Sequence, residues 1–124
     1  MEKARMMKYA LLVDDEPEIC QLLSNMLRRV GAVCDMAHSV EQAKAKLSTG
    51  VYDAVFLDIH LPDGLGYDVI PEARKRNPEA RLIAISAVDA ERNNAVTAGA
   101  DLFVPKPFNR EIILRSIQAL GFSA

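Results

Sequence analysis

Apolar residues in this chain fall into two alternating kinds of pattern. Short runs at residues 9–13, 32–36, 54–57, 82–85 and 102–104 are the strand candidates. The first, third and fourth runs are continuous rather than alternating, which is how strands read when both faces are buried in a parallel sheet. Between the runs lie stretches with helical spacing. Ile19, Leu22, Leu23, Met26, Leu27 and Val30 make a single apolar stripe. Pro17 suits the first turn of that helix, and Gly31 the position just past its end. Ser39 and Gln42 form a capping box for a second helix, closed by Gly50. A third helix is expected over residues 65–76, starting late or kinking at Pro71, which has no N–H to donate. A fourth covers about residues 90–98 and stops at Gly99. Its burial rests on Ala90, Ala95, Val96 and Ala98, beside the polar group Glu91, Arg92, Asn93 and Asn94. A fifth follows the N-cap Asn109 and carries Ile112, Ile113, Ile117 and Leu120, with Leu114 off the stripe.

Five strands alternating with five helices predict a doubly wound α/β domain, with helices on both faces of a parallel sheet. In such folds ligands bind beyond the carboxyl ends of the strands. Asp14, Asp15 and Glu16 follow the first strand, Asp58 the third and Ser86 the fourth. Lys106, between Pro105 and Pro107, follows the fifth. Each residue alone has an ordinary reading. Asp14 and Asp15 can cap the first helix, Asp58 can be a loop aspartate, Ser86 a turn serine and Lys106 a surface lysine. Phe103, near the end of the last strand, reads equally as a core aromatic. Together they define a narrow chemistry. Clustered carboxylates need a cation, and an all-oxygen set suits a hard one, Mg²⁺ above all. A lysine beside them neutralises a phosphoryl group, and an aspartate can itself be the nucleophile that forms an aspartyl phosphate.

Composition narrows the alternatives. A chain of 124 residues, half of them hydrophobic, fits one domain with a core of its own. A net charge of −2 argues against gripping nucleic acid through its phosphates. Cys20 and Cys34 sit in apolar runs without metal-ligand spacing, and are expected as buried free thiols in a reducing compartment. His38 and His60 lack partners at ligand spacing and read as non-ligands. Residues 1–8 carry Glu2, Lys3, Arg5 and Lys8 and no apolar run, unlike a signal peptide, and nothing is long enough to cross a bilayer. A cytoplasmic protein without membrane contact is the expectation.

From about Lys8 to Leu120 the sequence resembles the response-regulator receiver domains, the chemotaxis-receiver-like family of two-component signalling. The resemblance rests on Val13-Asp14-Asp15-Glu16, on Asp58 with Pro62 and Gly66 behind it, on Ser86-Ala87, and on Lys106-Pro107-Phe108. It implies a flavodoxin-like sheet of strand order 2-1-3-4-5, and one receiver domain over residues 1–124 with its core at about 8–120. It implies that Asp58 is the phosphoacceptor and that Asp14, Asp15, Asp58 and the backbone carbonyl of His60 hold Mg²⁺. Lys106 would contact the phosphoryl group, and Ser86 would move towards it. Phe103 would turn inward as the switch aromatic, changing the face of the fourth helix, fifth strand and fifth helix.

The implied partners are a sensor histidine kinase or phosphotransfer protein and a downstream output domain or protein. A phosphorylation-dependent dimer is a further expectation. The resemblance implies no enzyme in the ordinary sense, only a phosphoacceptor that catalyses its own phosphorylation and dephosphorylation. His60 is an unusual occupant of its position, which the family places over the site. Three other readings compete with this one. An aspartyl-phosphate phosphatase of the haloacid-dehalogenase type would want an aspartate at residue 60. A nucleotide or flavin binder would want a glycine-rich loop where Asp14 to Pro17 stand. A receiver-like interaction module that is never phosphorylated stays open.

Overall fold

The computed structural model describes residues 4–124. Strands β1 (Tyr9–Val13), β2 (Val33–Ala37), β3 (Ala54–Asp58), β4 (Arg81–Ser86) and β5 (Leu102–Pro105) form one sheet. Every neighbouring pair is parallel, in the order β2-β1-β3-β4-β5. Helices α1 (Pro17–Arg28), α2 (Val40–Thr49), α3 (Ile70–Arg76), α4 (Glu91–Thr97) and α5 (Arg110–Ala119) connect them. The doubly wound, flavodoxin-like architecture is the one expected. Among the described residues no helix is long and apolar enough to cross a membrane.

Side-chain alternation along the central strands sends successive residues to opposite faces, so each face has a core of its own. Ala10, Leu12, Phe56, Ile83, Ile85 and Val104 meet α1 and α5, through Leu23, Leu27, Ile113 and Ile117. Leu11, Val13, Val55, Leu57, Leu82 and Phe103 meet α2, α3 and α4, through Ala43, Leu47, Ile70, Ala73 and Ala95. All five residues of β3 are buried, as a continuous apolar run requires of a central strand.

Several boundaries differ from those expected, each for a local reason. The second strand is displaced by one residue, because it is the sheet edge and alternates exposed and covered positions. Helix α1 ends at Arg28, and Val30 lies in the turn that Gly31 completes at φ +91°. Gly50 does cap α2 but in extended conformation, so its left-handed freedom is not used. Ser39 accepts the Gln42 N–H at 3.1 Å. The returning Gln42 side chain accepts from the His38 N–H at 2.8 Å, one residue before the usual capping-box partner.

The third helix starts late. Residues 60–65 form a small antiparallel hairpin, pairing His60 with Leu65, and a 3₁₀ turn at Gly66–Val69 precedes α3. Pro71 then falls in the first turn of α3, where its missing N–H costs nothing. Asp63, at the hairpin tip, accepts the N–H groups of Val40 and Glu41 at 2.8 and 3.0 Å, satisfying orphan donors at the start of α2. Those contacts lower its carboxyl below the usual range.

Burial in α4 is also less than expected. Ala95 is covered and Ala98 half-covered, whereas Ala90 is exposed and Val96 is 59% exposed. In α5, Ile112 is exposed and Leu114 packs against the core, the reverse of the stripe expected. Cys20 is buried but Cys34 is only half-buried, because it lies on the edge strand. Outside the span of the family resemblance, Met7 and Phe122 are both core residues. Arg5 donates its N–H to the Gly121 carbonyl at 2.7 Å and accepts from the Ser123 N–H at 2.8 Å, while its guanidinium lies over the Phe122 ring.

Candidate functional site

Parallel strands carry their last residues to one edge of the sheet, and there Asp14, Asp15, Asp58, Ser86 and Lys106 gather. β1 ends one residue before Asp14, whose N–H still continues the ladder to Ala37 at 3.0 Å. Asp58 is the last residue of β3, in register with Ile85, and Ser86 is the last of β4. Lys106 follows β5, its N–H bonded to the Ser86 carbonyl at 2.9 Å, and its peptide bond to Pro107 is cis.

The two carboxylates at the bottom of the pocket are buried, Asp14 at 2% and Asp58 at 6% exposure, while Asp15 is open to solvent. One oxygen from each of the three lies within 4.8 Å of the others. The Lys106 ammonium stands 2.9 Å from Asp14 Oδ2 and 3.7 Å from Asp58 Oδ2. Asp14 Oδ1 is committed, accepting the Glu16 N–H at 2.9 Å. Asp14 Oδ2 is buried and faces the Lys106 ammonium. Such an oxygen, beside two further carboxylates and no nitrogen or sulfur donors, is what a hard divalent cation needs. Asp14, Asp15 and Asp58 therefore fit Mg²⁺.

Burial and charge crowding both shift the ionisable groups of the site. Burial, and then the Asp14 charge, push the Asp58 carboxyl from its ordinary value of 3.8 up to about 6, against the opposing pull of Lys106 and the His60 N–H. Burial works against the Lys106 ammonium, yet contact with Asp14 and the charges of Asp58 and Asp14 overcome it, and the net direction is upward. The lysine thus stays cationic and offsets one of the three negative charges.

Ser86 is buried, and its hydroxyl accepts the Val88 N–H at 3.0 Å. Phe103 is buried on the α4 side of the sheet, with the Arg92 guanidinium 4.7 Å above its ring. The main-chain N–H of His60 donates to Asp58 Oδ1 at 3.3 Å, and its imidazole Nε2 stands 3.8 Å from Glu91 Oε1. Glu91 also accepts from the Tyr67 hydroxyl, and with burial that bond raises the Tyr67 phenol.

Three supports of the site had no role assigned from the sequence. His38 Nδ1 lies 2.8 Å from the Asp14 carbonyl oxygen, and the buried Cys20 thiol lies 3.6 Å from the same oxygen. Burial and then the Asp14 charge push that thiol up to about 11, which keeps it protonated and inert. Gly66 is the third. A Cβ at this position would come 2.2 Å from the Asp58 carbonyl oxygen, so the hairpin can close on β3 only through a glycine. The His38 and Cys20 contacts join residues distant in sequence and leave no periodic signal. Gly66 had one signal, its fixed place behind Asp58 in the family motif.

Fold and pocket together define a class: a doubly wound domain with an acidic, lysine-braced pocket at the carboxyl edge of its sheet. The response regulator receiver domain family matches residues 10–118, and the chain belongs to it. It is 37% identical over 112 residues to the probable transcriptional regulatory protein TcrX of Mycobacterium tuberculosis, covering 89% of this chain and 48% of that protein. It is 35% identical to the hybrid signal transduction histidine kinase L of Dictyostelium discoideum, across 97% of this chain and 8% of the kinase. Among solved structures, the response regulator protein TrrA of Thermotoga maritima, in complex with Mg²⁺-BeF, superposes with a TM-score of 0.81. It has 37% identity, covering 92% of this chain and 99% of that one. The chain spans about half the length, or less, of the curated relatives it matches. Receiver domains are phosphoacceptor modules of two-component systems, standing between histidine kinases and output domains, and are not enzymes of the ordinary kind.

Proposed function

We propose that Asp58 accepts a phosphoryl group, in a Mg²⁺-dependent transfer, from a phosphohistidine of a sensor histidine kinase or phosphotransfer protein. The observation that carries this is the arrangement of Asp14, Asp15 and Asp58 within 4.8 Å, with the Lys106 ammonium 2.9 Å from Asp14. A carboxylate oxygen of Asp58 attacks phosphorus, the P–N bond to the donor imidazole breaks, and the bond pair leaves with that nitrogen. Asp58 must be ionised to attack, and with its carboxyl near 6 it is so at neutral pH. Bound by Asp14, Asp15, Asp58 and the His60 carbonyl, Mg²⁺ would supply charge neutralisation for the phosphoryl oxygens.

Lys106, already paired to both buried aspartates, holds a phosphoryl oxygen as a point charge. Ser86 exchanges its bond to the Val88 N–H for one to the phosphoryl group, and Phe103 follows it. The face of α4, β5 and α5 is thereby altered for a downstream partner or a second copy of the chain. A phosphoryl group shifts this balance only as far as it contacts one state better than the other.

Intact mass after incubation with Mg²⁺ and a small acyl phosphate tests the reading. One phosphoryl group is expected on the wild type, and none on Asp58→Asn or without Mg²⁺. An adduct that persists in Asp58→Asn would refute the assignment. No adduct from either an acyl phosphate or a phosphorylated histidine kinase would leave a receiver-like interaction module as the function.

A further inference from the structure

The loop that follows Asp58 meets one side chain on α4 at two points, a hydrogen bond from Tyr67 and a 3.8 Å approach of His60. On one side of the phosphoacceptor, His60 contacts it directly, donating its N–H to Asp58 Oδ1 at 3.3 Å. On the other, Gly66 lies against the Asp58 carbonyl and donates its own N–H to Ile59 at 2.7 Å. The His60 imidazole and the hydroxyl of Tyr67, the residue after Gly66, both reach the Glu91 carboxylate, one to each oxygen. Glu91 is the first residue of α4, a helix with Ala95 as its one fully buried side chain. Few apolar contacts hold α4 down, so directed polar contacts weigh more there than elsewhere in the molecule.

We propose that Glu91 is a positioning residue: through Tyr67 and His60 it holds the loop 58–66 around the phosphoacceptor, and so ties the life of the phosphoryl group to the placement of α4. The effect on phosphoryl lifetime rests on the function proposed above; the tether itself does not. Loss of the group is hydrolysis, in which water attacks phosphorus, the P–O bond to Asp58 breaks and inorganic phosphate leaves. A loop held in place restricts the approach of that water, and a loosened one admits it. Because coupling is reciprocal, whatever draws α4 away from Glu91's partners also loosens the loop, and whatever loosens the loop frees α4.

Two measurements on the same variants test this. In the unphosphorylated protein, amide hydrogen exchange at His60 and Gly66 should quicken at least about threefold in Glu91→Ala and in Tyr67→Phe. It should not quicken in Glu111→Ala, which removes only an exposed pair on α5. In phosphorylated protein, followed by intact mass, the half-life should fall about threefold in Glu91→Ala. Glu91→Gln, which keeps an acceptor for Tyr67, should restore part of it. Adding Glu91→Ala to His60→Ala should shorten the half-life less than it does in the wild type, because one of the two partners is already gone. Unchanged exchange in both variants would overturn the tether. Faster exchange with an unaltered half-life, or with fully additive effects in the double variant, would overturn the positioning role. If the wild type takes no phosphoryl group at all, it is the function proposed above that fails, and the exchange result alone decides the tether.

Discussion

Helices α1 and α4 flank the same pocket and are built in opposite ways. α1 buries Cys20, Leu23, Ser24, Met26 and Leu27 against the sheet. α4 buries Ala95 and leaves Val96 to solvent. α1 is fixed by area removed from water, a non-directional and additive hold. α4 is fixed by particular contacts, Glu91 with Tyr67 and Arg92 over Phe103, which can be exchanged for others without opening a core. One wall of the pocket is therefore scaffold and the other is adjustable. The adjustable wall is the one that touches Phe103 and the loop after Asp58.

The comparison breaks most visibly in α1. Leu23→Ala should lower unfolding free energy by about 2–5 kcal/mol, because its side chain is fully buried and its removal leaves a cavity. Urea unfolding measures it, and a loss below about 1 kcal/mol would mean that α1 is no more anchored than α4.

Next in size is Asp58 itself. Its carboxyl is raised from 3.8 to about 6 in the fold, so the protonated form favours folding. That contribution is complete below about pH 3.8 and is lost as the pH rises through about 6. Without Mg²⁺, Asp58→Asn should be more stable than the wild type at pH 7 by about 2–3 kcal/mol, and the two should converge near pH 4. Equal pH dependence of melting in the two proteins would show that neither burial nor the Asp14 charge raises the Asp58 carboxyl.

Smaller again, Arg92→Ala should cost about 0.5–1 kcal/mol through the lost contact with the Phe103 ring. Thermal melting reads the loss, and amide exchange should place it in α4. Val96→Ala should change stability by no more than about 0.5 kcal/mol. A larger effect would reveal packing on a surface that is solvent-facing in the structure.

The sheet was legible because its central strands are buried on both faces, so Leu11, Leu12, Val55, Phe56 and Leu57 stand as unbroken apolar runs. Polar residues after such runs were legible for the same reason: parallel strands all deliver their ends to one edge. Strand β2 was read one residue early because an edge strand carries a weaker pattern. The stripe through Val30 overran the real end of α1, since an apolar residue in a turn continues the helical spacing without continuing the helix. In α4, Ala90 and Val96 counted as burial in the sequence, yet a helix lying at the sheet's corner covers only the side that Ala95 occupies. The hairpin at residues 60–65, the capping of α2 by Asp63 and the hold on Glu91 left no trace at all. The hairpin pairs residues only three to five apart in strands of two residues, too short for a pattern, and the other two depend on side chains reaching across 22 to 24 positions, which no local spacing encodes.

The seam between Arg5 and Gly121–Ser123 makes the backbone nearly a ring. Arg5 also bonds the Glu79 carbonyl, just before β4 begins, so the seam lies where the strands start and the pocket where they finish. Closing a ring whose ends already touch costs little chain entropy. A circular permutant of residues 5–123, joined here and opened in a surface turn, should melt close to the unpermuted domain. Anything grafted at the seam would sit a full strand length from Asp58, leaving the pocket free for its visitors.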